Sequence, residues 1–256
     1  MATQQEQTLP GTRTVSLLLS MVAGYVDSCT FLSLFGLFVA QVTGSFVAAG
    51  AQIARGEHGF LLTTFAIPIF IAAGAATTLL VDFVEHRRGR PLAWTLAVEG
   101  ALLAGFFIAG VSGAPFGRPD DALAMIAGLF GLLAMGVQSA MVQLIMRGTP
   151  STNVMTTNTT QLAILATRTA LCWHARRRDP ASPAAAQLAS TRDRLTAVLL
   201  VAGGFLAGTI AGALAYSAIQ LWCLLAPVAA ILGLVIWSLQ PVPRVAQNSP
   251  ADTPVT

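Results

Sequence analysis

The sequence predicts an all-α integral membrane protein with six membrane-spanning helices. Apolar residues make up 55% of the chain and charged residues only 10%, with a mean hydropathy of +0.70. Soluble domains carry about 25% charged residues. The charges also gather in short clusters, separated by apolar runs long enough to cross a bilayer core of about 30 Å. These observations exclude an ordinary soluble domain.

Apolar runs of about 17 to 25 residues define the predicted spans. They cover residues 15–38, 60–81, 92–111, 122–146, 195–216 and 219–239. Two further segments, 39–54 and 154–173, are shorter or more polar, and a span, a re-entrant segment and an interfacial helix each fit them. Residues 1–14 and 241–256 are polar and are predicted to be disordered tails on a single transmembrane domain, 15–240.

The placement of arginines decides the number of spans. Eight spans would move Arg87, Arg88, Arg90 and Arg147 to the outside. Six spans agree better with the positive-inside rule and place both termini in the cytoplasm. With six spans, Arg55 and Arg118 lie outside, and the cytoplasmic side collects Arg13, Arg87, Arg88, Arg90, Arg147, Arg168, Arg176, Arg177, Arg178, Arg192, Arg194 and Arg244. The rule accounts for the basic residues, so no nucleic-acid partner is expected.

The chain carries a weak internal repeat. Residues 24–27, followed by 41–45, align with residues 136–138, followed by 155–158. In each half a long span with a central polar residue leads into a Thr/Ser/Asn-rich turn, a short apolar segment and two more spans. Each half, about 15–113 and 121–240, therefore has three spans, and an odd number inverts the second half. We expect a short broken or re-entrant segment after the first helix of each half, with the two segments meeting near the midplane.

The paired motifs resemble a known family. Gly-Tyr-Val-Asp at 24–27, Val-Thr-Gly-Ser at 42–45, Gly-Val-Gln-Ser-Ala at 136–140 and Val-Met-Thr-Thr-Asn at 154–158 are similar to the bacterial YoaK family of multi-pass membrane proteins. The resemblance covers most of residues 15–240 and implies a bacterial inner-membrane protein with a domain of unknown function. Both family motifs usually contain Thr-Gly-Asn, so this chain departs from the pattern at Ser45 and Thr157.

Asp27 and its repeat partner Gln138 are the central candidates for a binding site. An ionisable group inside a span is costly and faces a cavity or a partner, so Asp27 is either a proton or cation site or a hydrogen-bonded acid that fixes helix packing. The two polar turns either present helix N-termini to a solute or satisfy their own helix ends. Their candidate solute-binding residues are Gln41, Thr43, Ser45, Thr156, Thr157 and Asn158.

Glu99 and three glycines carry further expectations. Glu99 is expected to be a carboxylate that reaches the cytoplasmic interface, with a place beside Asp27 as the alternative. Gly204, Gly208 and Gly212 form overlapping GxxxG patterns, which are typical of close helix packing.

No cofactor, metal site or catalytic residue is predicted. The three cysteines are isolated, without a CxxC pair or a nearby histidine at metal-ligand spacing. No G-x-S-x-G, HExxH or Walker A motif is present. An enzyme is therefore not expected.

The preferred function is transport of a small polar or anionic solute through a pocket between the two halves. The alternative is a membrane scaffold that binds a protein or lipid partner, and an intramembrane enzyme ranks third. The expected partners are the lipid bilayer and an unidentified small solute. The sequence leaves a homo-oligomer open.

Overall fold

The computed structural model describes residues 12–55 and 61–240. Most of the predicted N-terminal tail and the whole C-terminal tail lie outside this part of the chain. A 3-10 helix, Gln220–Leu224, joins the last two α-helices. The described α-helices are α1 Thr12–Ser33, α2 Val42–Arg55, α3 Leu61–His86, α4 Pro91–Gly113, α5 Ala122–Ile145, α6 Met155–Arg178, α7 Pro183–Ala186, α8 Leu188–Ile219 and α9 Leu225–Leu239.

Within the described ranges, five helical stretches are long and apolar enough to cross a membrane. They are Thr12–Ser33, Leu62–His86, Pro91–Gly113, Ala122–Ile145 and Leu188–Leu239. The all-helical membrane architecture is therefore confirmed at this level. The last stretch is 52 residues long and contains both α8 and α9. With 14 residues, α2 is too short to cross a core of about 30 Å.

The first helix ends at Ser33, earlier than the apolar pattern indicated. Gly36 adopts a φ of +83°, and its N–H donates to the Phe31 carbonyl at 3.1 Å. This is the bond that closes a Schellman-type helix end, whose left-handed position is Phe35, with a φ of +54°. The hydrophobic residues that follow, such as Leu37 and Val39, are buried in a connector between α1 and α2.

Helices α1 and α8 run in the same direction. Gly204 of α8 lies against Leu17 of α1, and Gly212 lies against Tyr25 two turns further along both helices. We call the end of the bundle where α1 begins side A and the opposite end side B. Helix α8 therefore also begins at side A.

Helices α3 and α5 form a second parallel pair. Gly128 of α5 lies against Leu62 of α3, and further along both helices Gly136 lies against Ala73. The first helices of the two sequence halves, α1 and α5, are also the most buried of the five spans, at 61% and 67% of their apolar windows. They form the centre of the bundle.

Helix α5 runs against α1. Its Gln138 bonds the Leu19 carbonyl near the start of α1, whereas Gly131, earlier in α5, lies against Thr30 near the end of α1. Helix α5 therefore begins at side B and ends at side A, and α3 does the same.

Helix α9 reverses the direction of α8. Gly110 of α4 lies against Leu221, and Gly100, earlier in α4, lies against Ile231 of α9, so α4 and α9 are antiparallel. At side A the Arg90 guanidinium donates to the Leu239 carbonyl at the end of α9. The 52-residue stretch thus turns back at the 3-10 helix, where Gln220 has a φ of +53°.

Candidate functional site

The first polar cluster holds the connector between α1 and α2. Asp27 is 5% exposed, and its Oδ1 accepts the backbone N–H groups of Val39 and Ala40, both at 2.8 Å. The buried hydroxyl of Ser45, in the first turn of α2, donates to the Phe38 carbonyl at 2.9 Å. Buried backbone groups need such partners, so the cluster fixes an irregular segment inside the bundle.

Gln41 borders this cluster through its backbone, which also interacts with the Asp27 carboxylate, whereas Thr43 lies outside it. Gln41 is half-buried, and its carbonyl accepts the Gly44 N–H at 2.8 Å, which begins the first turn of α2. Thr43 is exposed on the surface of that turn. Of the four candidates in the first half, Asp27 and Ser45 face the interior.

The second polar cluster holds the connector between α5 and α6. Gln138 is fully buried, and its Nε2 donates to the Leu19 carbonyl at 2.9 Å and to Thr152 Oγ1 at 3.1 Å. Asn158, in the first turn of α6, donates from Nδ2 to the Ser151 carbonyl at 2.6 Å. Thr156 and Thr157 are exposed on the same turn.

Two residues of the second cluster were not singled out from the sequence. Thr152 and Asn153 are 0% and 4% exposed and are bonded to each other at 2.9 Å. Asn153 also lies 3.4 Å from Gln138 Nε2. The available signal was their position, since they precede α6 as Val39 and Ala40 precede α2.

The two clusters share one pattern. Ser45 and Asn158, aligned in the sequence repeat, each bond a carbonyl seven residues earlier in the chain. Asp27 and Gln138, also aligned, each bond two residues near the end of the connector that follows, just before the next helix begins. The side chain differs because its role differs: Asp27 accepts backbone N–H groups, whereas Gln138 donates to a backbone carbonyl.

The clusters do not share a pocket. Leu19, which contacts Gln138, precedes Asp27 by about 12 Å along α1 at the helical rise per residue. Val22, Ala23 and Val26 lie between them and are at most 4% exposed. The prediction of a short broken segment in each half fits α2, with 14 residues, but is wrong for α6, a continuous helix of 24 residues. Helix α2 packs on α3, and α6 packs on α7 and α8, so the two do not pack along each other at the midplane.

Glu99 lies deeper in the bundle than the sequence predicted. Its side chain is 0% exposed, in the core of the bundle, and does not reach an interface. Within the described part of the chain, neither of its carboxylate oxygens has a hydrogen-bond partner. Burial of an unpartnered carboxylate is among the most costly arrangements in a membrane protein.

The predicted packing glycines lie at the closest approach of α1 and α8. A Cβ on Gly208 would come 2.0 Å from the Met21 carbonyl oxygen, and one on Gly212 would come 2.6 Å from the Tyr25 carbonyl oxygen. Gly204 lies against Leu17 one turn earlier. Ser20 adds an interhelical bond, since its hydroxyl donates to the Val201 carbonyl at 2.5 Å.

The fold brings two of the three cysteines together. Cys29 and Cys223 are free and buried, with their sulfurs 3.4 Å apart. No group of three or more His, Cys, Asp or Glu side chains comes together in residues 12–55 and 61–240.

A comparison with known protein families identifies the family of this chain. The family described as a protein of unknown function, DUF1275, matches residues 15–237. The chain belongs to this family. The match is consistent with the resemblance to the YoaK family and spans both halves of the internal repeat. No curated protein and no solved structure matches the chain.

Proposed function

We propose that this DUF1275 protein transports a small polar or anionic solute across a bacterial inner membrane. Its two halves are inverted repeats of three spans each, the architecture of many secondary transporters. One observation carries the proposal: α1 and α5 run antiparallel, and each holds the connector after it through a polar side chain at the matching position.

The packing of the helices supports the inverted relation. The first span of each half packs along the second span of the other half, α1 on α8 and α5 on α3, and both pairs are parallel. The helix that follows the first connector of each half, α2 or α6, packs on the second span of its own half. A two-fold axis in the membrane plane relates each of these contacts to its counterpart.

The reversal between α8 and α9 supports six spans. Arg13 and Asp193 pair at 3.4 Å where α1 and α8 begin, and Arg90 bonds the end of α9 at the same side. Side A thus collects the ends that carry most of the arginines, and we assign it to the cytoplasm with both termini. Side B holds the loop with Arg118.

In this proposal the two connectors are the moving parts of the pathway. Asp27 and Gln138 hold them closed, and the exposed turns at Thr43 and at Thr156 and Thr157 meet the solute at sides B and A. Opening one connector would expose one cluster while the apolar layer of α1 keeps the other closed. No residue is assigned a catalytic role.

Uptake into lipid vesicles tests the proposal. Full-length protein is reconstituted, and entry of lactate, phosphate, alanine and glycerol is compared with entry into empty vesicles. We expect saturable uptake of at least one of these probes. Asp27→Asn weakens the hold on the first connector, because a neutral amide oxygen accepts N–H groups less strongly than a carboxylate, and we expect it to change that uptake rate several-fold.

Equal entry of all four probes into protein-containing and empty vesicles would contradict the proposed transport. An unchanged uptake rate in Asp27→Asn would instead contradict the role assigned to Asp27 in holding the first connector. Asp120→Asn, the same substitution at an exposed carboxyl group outside both clusters, is the control.

A further inference from the structure

Glu99 has an environment unlike that of the other buried carboxyl group. Asp27 accepts two backbone N–H bonds, which stabilise a negative charge. Glu99 is more deeply buried, at 0% exposure, and both of its oxygens lack a hydrogen-bond partner in the described part of the chain. A charged carboxylate is not stable in such a place without a partner, so Glu99 in this state is a neutral carboxylic acid.

The position of Glu99 follows from the packing of α4. Gly105 and Gly113 face α5. Gly100 faces α9 and Gly110 faces the 3-10 helix that precedes it, and Glu99 lies on the stripe between these two faces. The side chain therefore points into the space that α4, α5 and α9 enclose.

The depth of Glu99 matches that of Gln138. Gly105 lies against Phe130 in the antiparallel pairing of α4 and α5, so the helical rise puts Glu99 level with about residue 136. Gln138 is within one turn of that level, and its Oε1 is also buried without a hydrogen-bond partner. Two side chains with unsatisfied acceptor oxygens thus lie at one depth in the half of the bundle nearer side A.

No neighbouring group supplies a counter-charge. Helices α5 and α9, which flank Glu99, contain no titratable side chain. Helix α3 contributes Asp82, Glu85 and His86, all exposed at its side A end. Cys223 of the 3-10 helix lies against Cys29 rather than in the layer of Glu99. A proton is therefore the simplest cation that neutralises this carboxyl group.

We propose that Glu99 is a reversible proton-binding site that couples the transport cycle to the proton gradient. The carboxyl group holds its proton while the bundle is closed and releases it to water when the bundle opens toward side A. Thr95, one turn nearer side A on the same stripe and also 0% exposed, continues the polar path. Coupling rests on the proposed transport function, whereas proton binding by Glu99 does not.

Infrared spectroscopy of the full-length protein in lipid bilayers tests the proton site. The carbonyl stretch of a carboxylic acid is resolved from carboxylate bands, and it is followed between about pH 5 and pH 9, where most exposed carboxyl groups remain ionised. The signal assigned to Glu99 is the difference between the wild-type and Glu99→Gln spectra, which removes any contribution from the other buried carboxyl group, Asp27. We expect an acid band in this difference that declines as the pH rises. Glu85→Gln, the same substitution at an exposed site, should retain the band.

The alternatives give different spectra. The absence of an acid band from the difference between wild type and Glu99→Gln overturns the proposal. A difference band that does not respond to pH also overturns it, since that result describes a permanently neutral packing residue. Glu99→Leu, which removes the buried polar group altogether, gives the same comparison where glutamine is poorly accommodated.

In vesicles, an inward proton gradient should accelerate uptake of a transported probe several-fold in wild type and not in Glu99→Gln. If the acid band titrates but no probe is taken up, proton binding by Glu99 stands and the proposed transport of these probes fails.

Discussion

At the residue scale, Asp27 and Gln138 illustrate how one structural task selects two side chains. The connector after α1 presents backbone N–H groups, for which a carboxylate is the strongest acceptor. Gln138 instead donates to the Leu19 carbonyl and to Thr152 Oγ1, and an ionised carboxylate has no hydrogen to donate. The absence of charge at Gln138 is thus a consequence of what it bonds.

Substitution of Asp27 should separate hydrogen bonding from charge. Asp27→Leu leaves the N–H groups of Val39 and Ala40 buried without an acceptor, and each such group costs about 1–3 kcal/mol. We expect Asp27→Leu to lower the free energy of unfolding by roughly 2–6 kcal/mol. Asp27→Asn keeps an acceptor oxygen and should lose about 1 kcal/mol. Thermal unfolding of the purified protein in one detergent measures both.

Equal destabilisation by the asparagine and leucine variants would contradict this account of Asp27. It would mean that the negative charge, rather than the acceptor oxygen, holds the connector. Gln41→Ala, at a half-buried neighbour whose backbone rather than side chain makes the local bond, is the matched control and should unfold close to wild type.

The sequence identified buried polar residues better than it identified their partners. Asp27 stands out because charges are rare inside apolar spans. Glu99 stands out for the same reason, but its depth depends on which faces of α4 meet α5 and α9. Thr152 and Asn153 lie in a connector, where polar residues are ordinary, so composition alone does not distinguish them.

At the element scale, the contact between α1 and α8 depends on the absence of side chains. Gly208 lies against the backbone of Met21, so the two helix backbones approach more closely than any larger residue allows. Without a hydrophobic driving force between helices in lipid, such close packing is a principal source of association.

Gly208→Ala should destabilise the protein, and Gly203→Ala should not. A Cβ at Gly208 would lie 2.0 Å from the Met21 carbonyl oxygen, whereas one at Gly203 meets nothing within 4 Å. We expect Gly208→Ala to cost about 1–3 kcal/mol through overpacking. Gly203→Ala, in the same helix, should gain up to about 1 kcal/mol from alanine's helix propensity.

Thermal unfolding of the two variants under identical conditions makes the comparison. Equal midpoints would show that α1 and α8 are not packed through Gly208. The pair controls for the effect of alanine on α8 itself, since the substitutions differ in what the new methyl group meets.

Hydropathy predicted the long helices well and their ends less well. The bilayer requires about 20 apolar residues per crossing, and this requirement is visible in any window of the chain. The end of α1 was missed because the buried connector continues the apolar composition beyond Ser33. The two ambiguous segments form α2 and α6. Helix α2 is too short to be a candidate span, and α6 is too polar.

At the scale of the whole molecule, the relation between the halves determines the proposed function. The sequence repeat predicted which positions correspond, and Asp27 with Gln138 and Ser45 with Asn158 make corresponding bonds. The crosswise pairing of α1 with α8 and of α5 with α3 was not predicted, because one sequence contains no record of contacts between distant helices.

The separation of the two polar clusters is what the proposed inversion of the halves predicts. Two equivalent sites related by a two-fold axis in the membrane plane lie at equal depths on opposite sides of the midplane. A shared central pocket would require both to lie on the axis. The sequence predicted the members of each cluster but not the apolar layer of α1 between them, since that layer resembles any other part of a span.

Labelling from the two sides of the membrane tests the inverted relation most directly. Thr43 and Thr156 are exposed, lie in the first turns of α2 and α6, and are the same residue type. Each is changed to cysteine, Thr43→Cys and Thr156→Cys, in a chain whose own cysteines are replaced by alanine. A membrane-impermeant maleimide is then applied to intact cells and to inverted membrane vesicles.

The inverted arrangement predicts opposite outcomes for the two positions. Thr43→Cys should react in intact cells and be protected in inverted vesicles, whereas Thr156→Cys should react in inverted vesicles and be protected in intact cells. Reaction of both cysteines from the same side of the membrane would contradict the inverted halves and the transport architecture built on them.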